Sequence, residues 1–465
     1  MASISSTGIG SGLDVNSIVT QLMAIERQPL SALQTKQTAI QTTVSEYGKV
    51  KSAISTLRDA ASKLSGSSLW GQTVGTSSNA AAVTATTNGS VAGTYSVAVQ
   101  SLASVQSVAT GVYPSTTVNP GSGVLHIDMG AWGAGQTSFT GKSPAVSADI
   151  SIAASDTLTD VRDKINAAGV GVTALIMTDA SGSRLLMRSN VSGAANGFRT
   201  SGVAGLNFDP AVGGAGMTQT QAAADAKATV NGLPVTSTTN TFVNIVDGLS
   251  LTLNAVTTAP VNVDVAADKE NMKKAITAFA DAYTAVNKLI AADTKYDPVT
   301  KKSGPLLADS AISAMQTQMR ALVGETSGAS AVFGRMSDVG LQIQTDGSMT
   351  VNATKLDSAL VNLPELKKAF SNTDVANPTN NGFAKKFKTL NDTMLATDGS
   401  FASRSDGLSS QLTRNQKSQD DMNVRLAGVE KRMRAQYQAL DARMAQITGS
   451  SSLVSQQIAA YNRGG

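Results

Sequence analysis

Residues 408–440, LSSQLTRNQKSQDDMNVRLAGVEKRMRAQYQAL, contain no Pro and a single internal Gly. Leu408, Leu412, Met422, Leu426, Val429, Met433 and Leu440 fall on one frame of alternating three- and four-residue steps, with Asn415, Gln419 and Gln436 at the remaining seam positions. Such a stripe specifies a helix that packs on another helix, and polar residues in the seam fix register at a cost in stability. After Leu440 the stripe slips by one residue and resumes at Met444, Ile447, Val454, Ile458 and Tyr461.

The N-terminal end mirrors this. Asp14 and Asn16 are candidate N-caps, and Ile18, Leu22 and Ile25 recur at helical spacing. Pro29 interrupts or restarts the helix. Ile40, Val44, Tyr47, Val50, Ile54, Leu57, Ala61 and Leu64 continue the stripe to Gly66. Residues 1–40 and 444–465 carry only narrow apolar stripes among Ser, Gln and Ala. Such helices are marginal alone, and these ends are expected to fray in a free monomer and order in an assembly.

The middle of the chain changes character. From Lys63 to Asp128 no Asp, Glu, Lys or Arg intervenes. Tyr95, Val97 and Val99 alternate with polar or small residues, as do Leu249, Leu251 and Leu253, and Val261, Val263 and Val265. This period of two predicts half-buried strands. Asn231-Gly232 follows a strand-like run and predicts a type I′ hairpin. Ile150 and Ile152 predict a strand, Asp156 or Thr157 caps a helix through Leu158, Val161 and Ile165, and Val172–Met177 and Arg184–Met187 complete a β-α-β-β element. Helical stripes return at Met272–Ile290 and Ile312–Leu322, then a hairpin at Asp346-Gly347 and one or two helices around Pro364. The fold class is therefore α+β and multidomain, with terminal helices forming a coiled coil or bundle and β-rich domains inserted between them. The expected parts are residues 1–40 and 431–465 as flexible terminal helices, 41–72 and 268–430 as the helical domain, 73–112 and 217–267 as a β-rich domain, and 113–216 as an inserted outer domain.

Composition narrows the chemistry. The 465 residues include no Cys and one His. Disulfides, thiolate sites and multi-histidine metal sites are excluded, and no cofactor is implied. Gly8–Gly12 is Gly-rich, but no strand precedes it and no Lys follows, so it fails the context of a phosphate loop. His126 has Asp128 nearby but no Ser or Cys nucleophile motif, and an enzyme is not expected. The net charge of +4 is spread over small Lys/Arg groups without interleaved aromatics, which argues against nucleic-acid binding. No apolar run is long enough to span a bilayer, and Met1–Thr20 lacks the basic start and apolar core of a cleavable signal.

Several blocks resemble the flagellar filament cap family, hook-associated protein 2. They are Ile9-Gly10-Ser11-Gly12-Leu13-Asp14 through Leu22-Met23 and Glu26–Leu30, then Ala278–Tyr283, Gly304–Ser310, Val339-Gly340-Leu341 and Asp346-Gly347. Thr157-Leu158 with Ile165-Asn166 resembles the "IN" motif of flagellar axial proteins. At 308 the resemblance leads one to expect Gly, and this chain has Ala. The resemblance implies a homo-oligomeric ring, commonly a pentamer, at the distal filament tip outside the cell. It implies partners in flagellin, the hook–filament junction proteins, a cytosolic export chaperone and the flagellar type III export apparatus, with secretion by a route that cleaves no signal. Its role would be to stop flagellin leaking and to promote flagellin folding and polymerisation. The seam residues would be the partner contacts. The competing readings are a surface adhesin that binds glycans, or another hook-associated axial protein.

Overall fold

A computed structural model describes residues 14–213 and 216–462. The chain divides into two compact units, residues 70–269 and the remainder.

The outer unit of the chain is helical. Asp14 caps α1 (Val15–Glu26) by accepting from the Ser17 amide at 2.9 Å. The chain breaks at Arg27, and Pro29 lies in the first turn of α2 (Gln28–Ser65), where its missing N–H costs nothing. A short α3 (Ser67–Trp70) follows. After the central unit come α5 (Lys269–Asp293), α6 (Ser310–Gly324), α7 (Ala353–Ala359), α8 (Leu363–Ser371), α9 (Phe383–Leu395) and α10 (Ser400–Tyr461). Two small hairpins interrupt them, β17 (Tyr296–Asp297) with β18 (Lys302–Ser303), and β19 (Leu341–Ile343) with β20 (Met349–Val351). Phe387 of α9 meets Phe279 and Tyr283 of α5 edge-on, at ring separations of 5.2 and 6.0 Å. The sequence reading did not single out α9. Its apolar face, Phe383, Phe387 and Met394, is interrupted by Asn391, which is nonetheless fully buried.

The central unit carries the strands. One sheet orders as β1-β16-β3-β12-β13: Thr73–Ser77, Val261–Ala267, Gly93–Ser101, Ala226–Val230 and Leu233–Ser237. A second orders as β14-β15-β2: Thr241–Val246, Leu249–Leu253 and Val83–Thr87. Their alternating Val and Leu residues form one core. Asn231 and Gly232, at φ of 49° and 79°, make the expected turn between β12 and β13. Between β3 and β12 lies a second core. It is built by β5 (Gly123–Trp132) with β6 (Phe139–Gly141), β7 (Ser147–Ile152) and β10 (Gly197–Ser201) in one sheet. The other sheet orders as β11-β4-β9-β8: Met217–Gln221, Ser107–Thr110, Gly182–Ser189 and Val172–Asp179. Helix α4 (Leu158–Ala168) covers it. This inserted core is wider than the expected 113–216, because Val108 of β4 and Met217 of β11 are buried in it. Both short strands lack a strong period-two signal, and the sheet claims them through long-range pairing.

Candidate assembly surfaces

The terminal helices meet along one antiparallel seam. Val15, Val19 and Met23 of α1 are buried together with Leu426 of α10, and Met422, Val429, Met433 and Tyr437 pack around them. Arg434 Nη1 donates to Asn16 Oδ1 at 3.0 Å, and Arg27 faces Glu430 at 3.7 Å. Ile18, Leu22 and Ile25 do not form this seam. Residues 15, 19 and 23 share a face at four-residue spacing, and that face turns inward. Ile18 and Leu22 are half-buried at its border, and Ile25 is 62% exposed.

Further along, Ile40, Tyr47, Ile54 and Leu57 of α2 are buried, while Val44 stays at the surface. Leu408 is buried and Leu412 half-buried on α10. The polar seam positions Asn415 and Gln419 are also buried. Gln419 Nε2 donates to Gln37 Oε1 at 2.9 Å and to Asn415 Oδ1 at 2.7 Å, and Gln37 Nε2 donates to Gln416 Oε1 at 3.1 Å. Gln436 does not enter the seam. Tyr437 takes its place, one residue on, and the stripe predicted beyond it finds no cover. Leu440, Ile447 and Ile458 are 45%, 63% and 57% exposed.

The opposite end of the seam is tied by charge. Asp309 caps α6 through the amides of Ala311 and Ile312, and its other oxygen accepts from Arg404 Nε at 2.7 Å. Tyr47 stacks at 4.9 Å from Phe401 beside this pair. Burial, then the Asp309 carboxylate, pushes its hydroxyl up to about 12, against the pull of Arg404. Just before the cap, Ala308 sits at φ 65°, a left-handed conformation that favours Gly.

The second candidate surface is the IN element. Thr157 and Asp160 cap α4 reciprocally. Leu158, Val161 and Ile165 are buried against the inserted core. Asn166 acts differently. Its Nδ2 donates to the Ala174 carbonyl at 2.9 Å, and its Oδ1 accepts the Ala174 amide at 2.7 Å. Strand β8 is the edge of its sheet, so this one side chain pairs the edge as a neighbouring strand would. The sequence marks the residue, but only the fold shows its two partners.

The remaining candidates are structural in their surroundings. Gly8–Gly12 lies outside the described residues. His126 is gripped by Asp149 on Nδ1 and by Asp128 on Nε2 at 2.9 Å, and Asp128 also holds Arg199 at 2.9 Å. The hydrogen bond that His126 donates to Asp149 is the main cause of its raised pKa. Among the described residues no cluster of three His, Cys, Asp or Glu could hold a metal ion, and no helix is long and apolar enough to cross a membrane.

Comparison with known proteins settles the family. The N-terminal model of flagellar hook-associated protein 2 matches residues 11–106, and its C-terminal model matches residues 223–449. The chain belongs to the flagellar hook-associated protein 2 family. The flagellin hook IN motif matches residues 137–191 between them. Flagellar hook-associated protein 2 of Escherichia coli (strain K12) is 29% identical over 98% of both chains. The A-type protein of Pseudomonas aeruginosa is 29% identical over 97% of this chain and 96% of its own. The crystal structure of the flagellar cap protein FliD D1-D2-D3 domains from Escherichia coli superposes with a TM-score of 0.59 at 27% identity. It covers 78% of this chain and 99% of its own. That solved relative is a flagellar cap protein.

Proposed function

We propose that this protein caps the distal end of the flagellar filament as a ring of its own copies, a pentamer, retaining flagellin and promoting its folding and insertion. Family membership sets the frame. The supporting observation is the uncovered apolar stripe of α10 at Leu440, Met444, Ile447, Val454 and Ile458, together with the exposed Ile25 of α1. Helical faces of this kind are completed by another helix. Residues 1–40 and 431–465 are thus the ends that contact flagellin or the hook–filament junction. The chain reaches the cell exterior through the flagellar type III apparatus, escorted by a cytosolic chaperone, without a cleaved signal. Replacing the chromosomal gene with a version ending at residue 443 tests this. Free flagellin monomer in the medium and bald or stunted cells are expected. Filaments of normal length and number would refute it.

A further inference from the structure

A trough runs beside the β19–β20 hairpin in the helical unit. Two adjoining concavities, of about 390 and 590 Å³, share Val323, Gly324, Ile343 and Gln344 as walls. The second extends along Leu341 and Gln342. The three residues of β19 and the following Gln344 therefore line it in succession. A sheet face would show only alternate residues, so the trough lies along the strand's edge.

The ladder register shows what that edge presents. Leu341 pairs with Val351, Gln342 with Thr350 and Ile343 with Met349. The Gln344 amide donates to the Ser348 carbonyl at 2.8 Å. That makes 344 with 348, and two residues on 342 with 350, the hydrogen-bonded pairs of an antiparallel ladder. The N–H and C=O groups of Leu341 and Ile343 then point away from β20, and those of the exposed Ile343 open onto the trough. Among the described residues no backbone bond outside the ladder engages them. An open edge is a template for one more strand, and here Ile343 presents it, at 40% exposed, while Leu341 is buried.

Charge says what kind of strand. Arg320 lines the first concavity and Arg335 the second. Both are exposed, and neither forms an ion pair among the described residues. No carboxylate lines either concavity. The nearest ones are turned back onto backbone: Asp338 accepts the Arg335 amide at 2.8 Å, and Asp346 accepts the Ser348 amide at 2.9 Å. The hydrogen bonds from Ser348 hold Asp346 below the usual carboxylate range, so it stays committed there.

We propose that this trough is a docking site for an extended, acidic segment of a partner protein, which adds as a strand to β19 and places carboxylates on Arg320 and Arg335. Main-chain bonds to Ile343 would supply affinity, and the two guanidinium groups would select for acidic side chains.

The test uses the full-length chain and a fluorescein-labelled nonapeptide of alternating Glu and Val, read by anisotropy. Controls are the same peptide with alternate amides N-methylated and a Lys/Val counterpart. The acidic peptide should bind, and affinity should fall by about tenfold or more, one logarithmic unit, in the Arg320→Glu/Arg335→Glu protein. N-methylation should cost a comparable factor, and the Lys peptide should not bind. Equal binding of the Lys or methylated peptide, equal binding to the double variant, or no binding of the acidic peptide at millimolar concentration would each overturn the proposal.

Discussion

Asn166 offers the most direct measurement of what the IN element does. Its two hydrogen bonds, 2.9 and 2.7 Å, serve both backbone groups of Ala174 on the edge of β8. Replacing Asn166 by Ala removes both. Each neutral bond is worth about 1 kcal/mol net, so the loss starts at about 2 kcal/mol. Asn166 is itself exposed, and water can reach part of the vacated space, which keeps the figure from the upper end of the unsatisfied-group range. Asn166→Asp is the sharper probe. A carboxylate still accepts the Ala174 amide but has nothing to donate to the carbonyl, so about half the loss should remain. Ile165→Ala calibrates the scale, because this fully buried side chain should cost about 2–5 kcal/mol. Denaturant and thermal unfolding followed by circular dichroism, with hydrogen exchange at the Ala174 amide, read all three. The Ala variant should lower the midpoint temperature of the transition containing β8 by about 4–8 °C and speed exchange at residue 174. If Asn166→Ala lies within about 0.3 kcal/mol of the parent, the side chain does not pair the edge and the reasoning is wrong.

Other outcomes follow from the same geometry. Ala308→Gly should raise stability by about 1 kcal/mol, since φ 65° strains an L-residue and not Gly; unchanged or lowered stability in thermal melts contradicts that strain. Arg404→Met should cost about 2 kcal/mol, by leaving the buried Asp309 carboxylate with only its helix-cap partners; a neutral result in urea melts would remove the tie from the account. His126 has a raised folded-state pKa, so its clamp on β5 and β7 is fully present below the ordinary value of 6.5 and is lost as pH rises through the higher folded value. An imidazole titration by NMR with a midpoint at or below 6.5 would exclude the clamp.

Much of the architecture was legible because it rests on local pattern. The period of two over Tyr95–Val99 and Val261–Val265 produced strands, and Asn231-Gly232 produced its turn. Seam residues Leu408 and Leu426 are both buried. What a stripe cannot state is which neighbour it meets. On α1 two adjacent stripes compete, and the one with Val15, Val19 and Met23 meets α10. The stripe that looked stronger in hydrophobicity, Ile18, Leu22 and Ile25, is left at the border or outside. Helix α9 escaped notice because its seam holds a buried Asn391 that no local rule favours. The edge pairing by Asn166 was likewise invisible, because Ala174 becomes its partner only once α4 lies on the sheet.

The uncovered end of α10 also bears on the proposed ring. Burying an exposed Leu, Ile, Val or Met side chain is worth about 1.5–3 kcal/mol, and these five are already roughly half covered by their own helix. One terminal helix therefore gains about 5 kcal/mol when its stripe from Leu440 to Ile458 is completed. Fixing one protein against another costs about 4–15 kcal/mol of rigid-body freedom. A single copy would sit near balance and would detach readily. In a ring the rigid-body term is met once, and every further helix adds its gain at high effective concentration. A narrow stripe thus gives a grip that is firm for the assembly and weak for each member. That is the property the proposed cap needs if flagellin is to be inserted beneath it without the ring being lost.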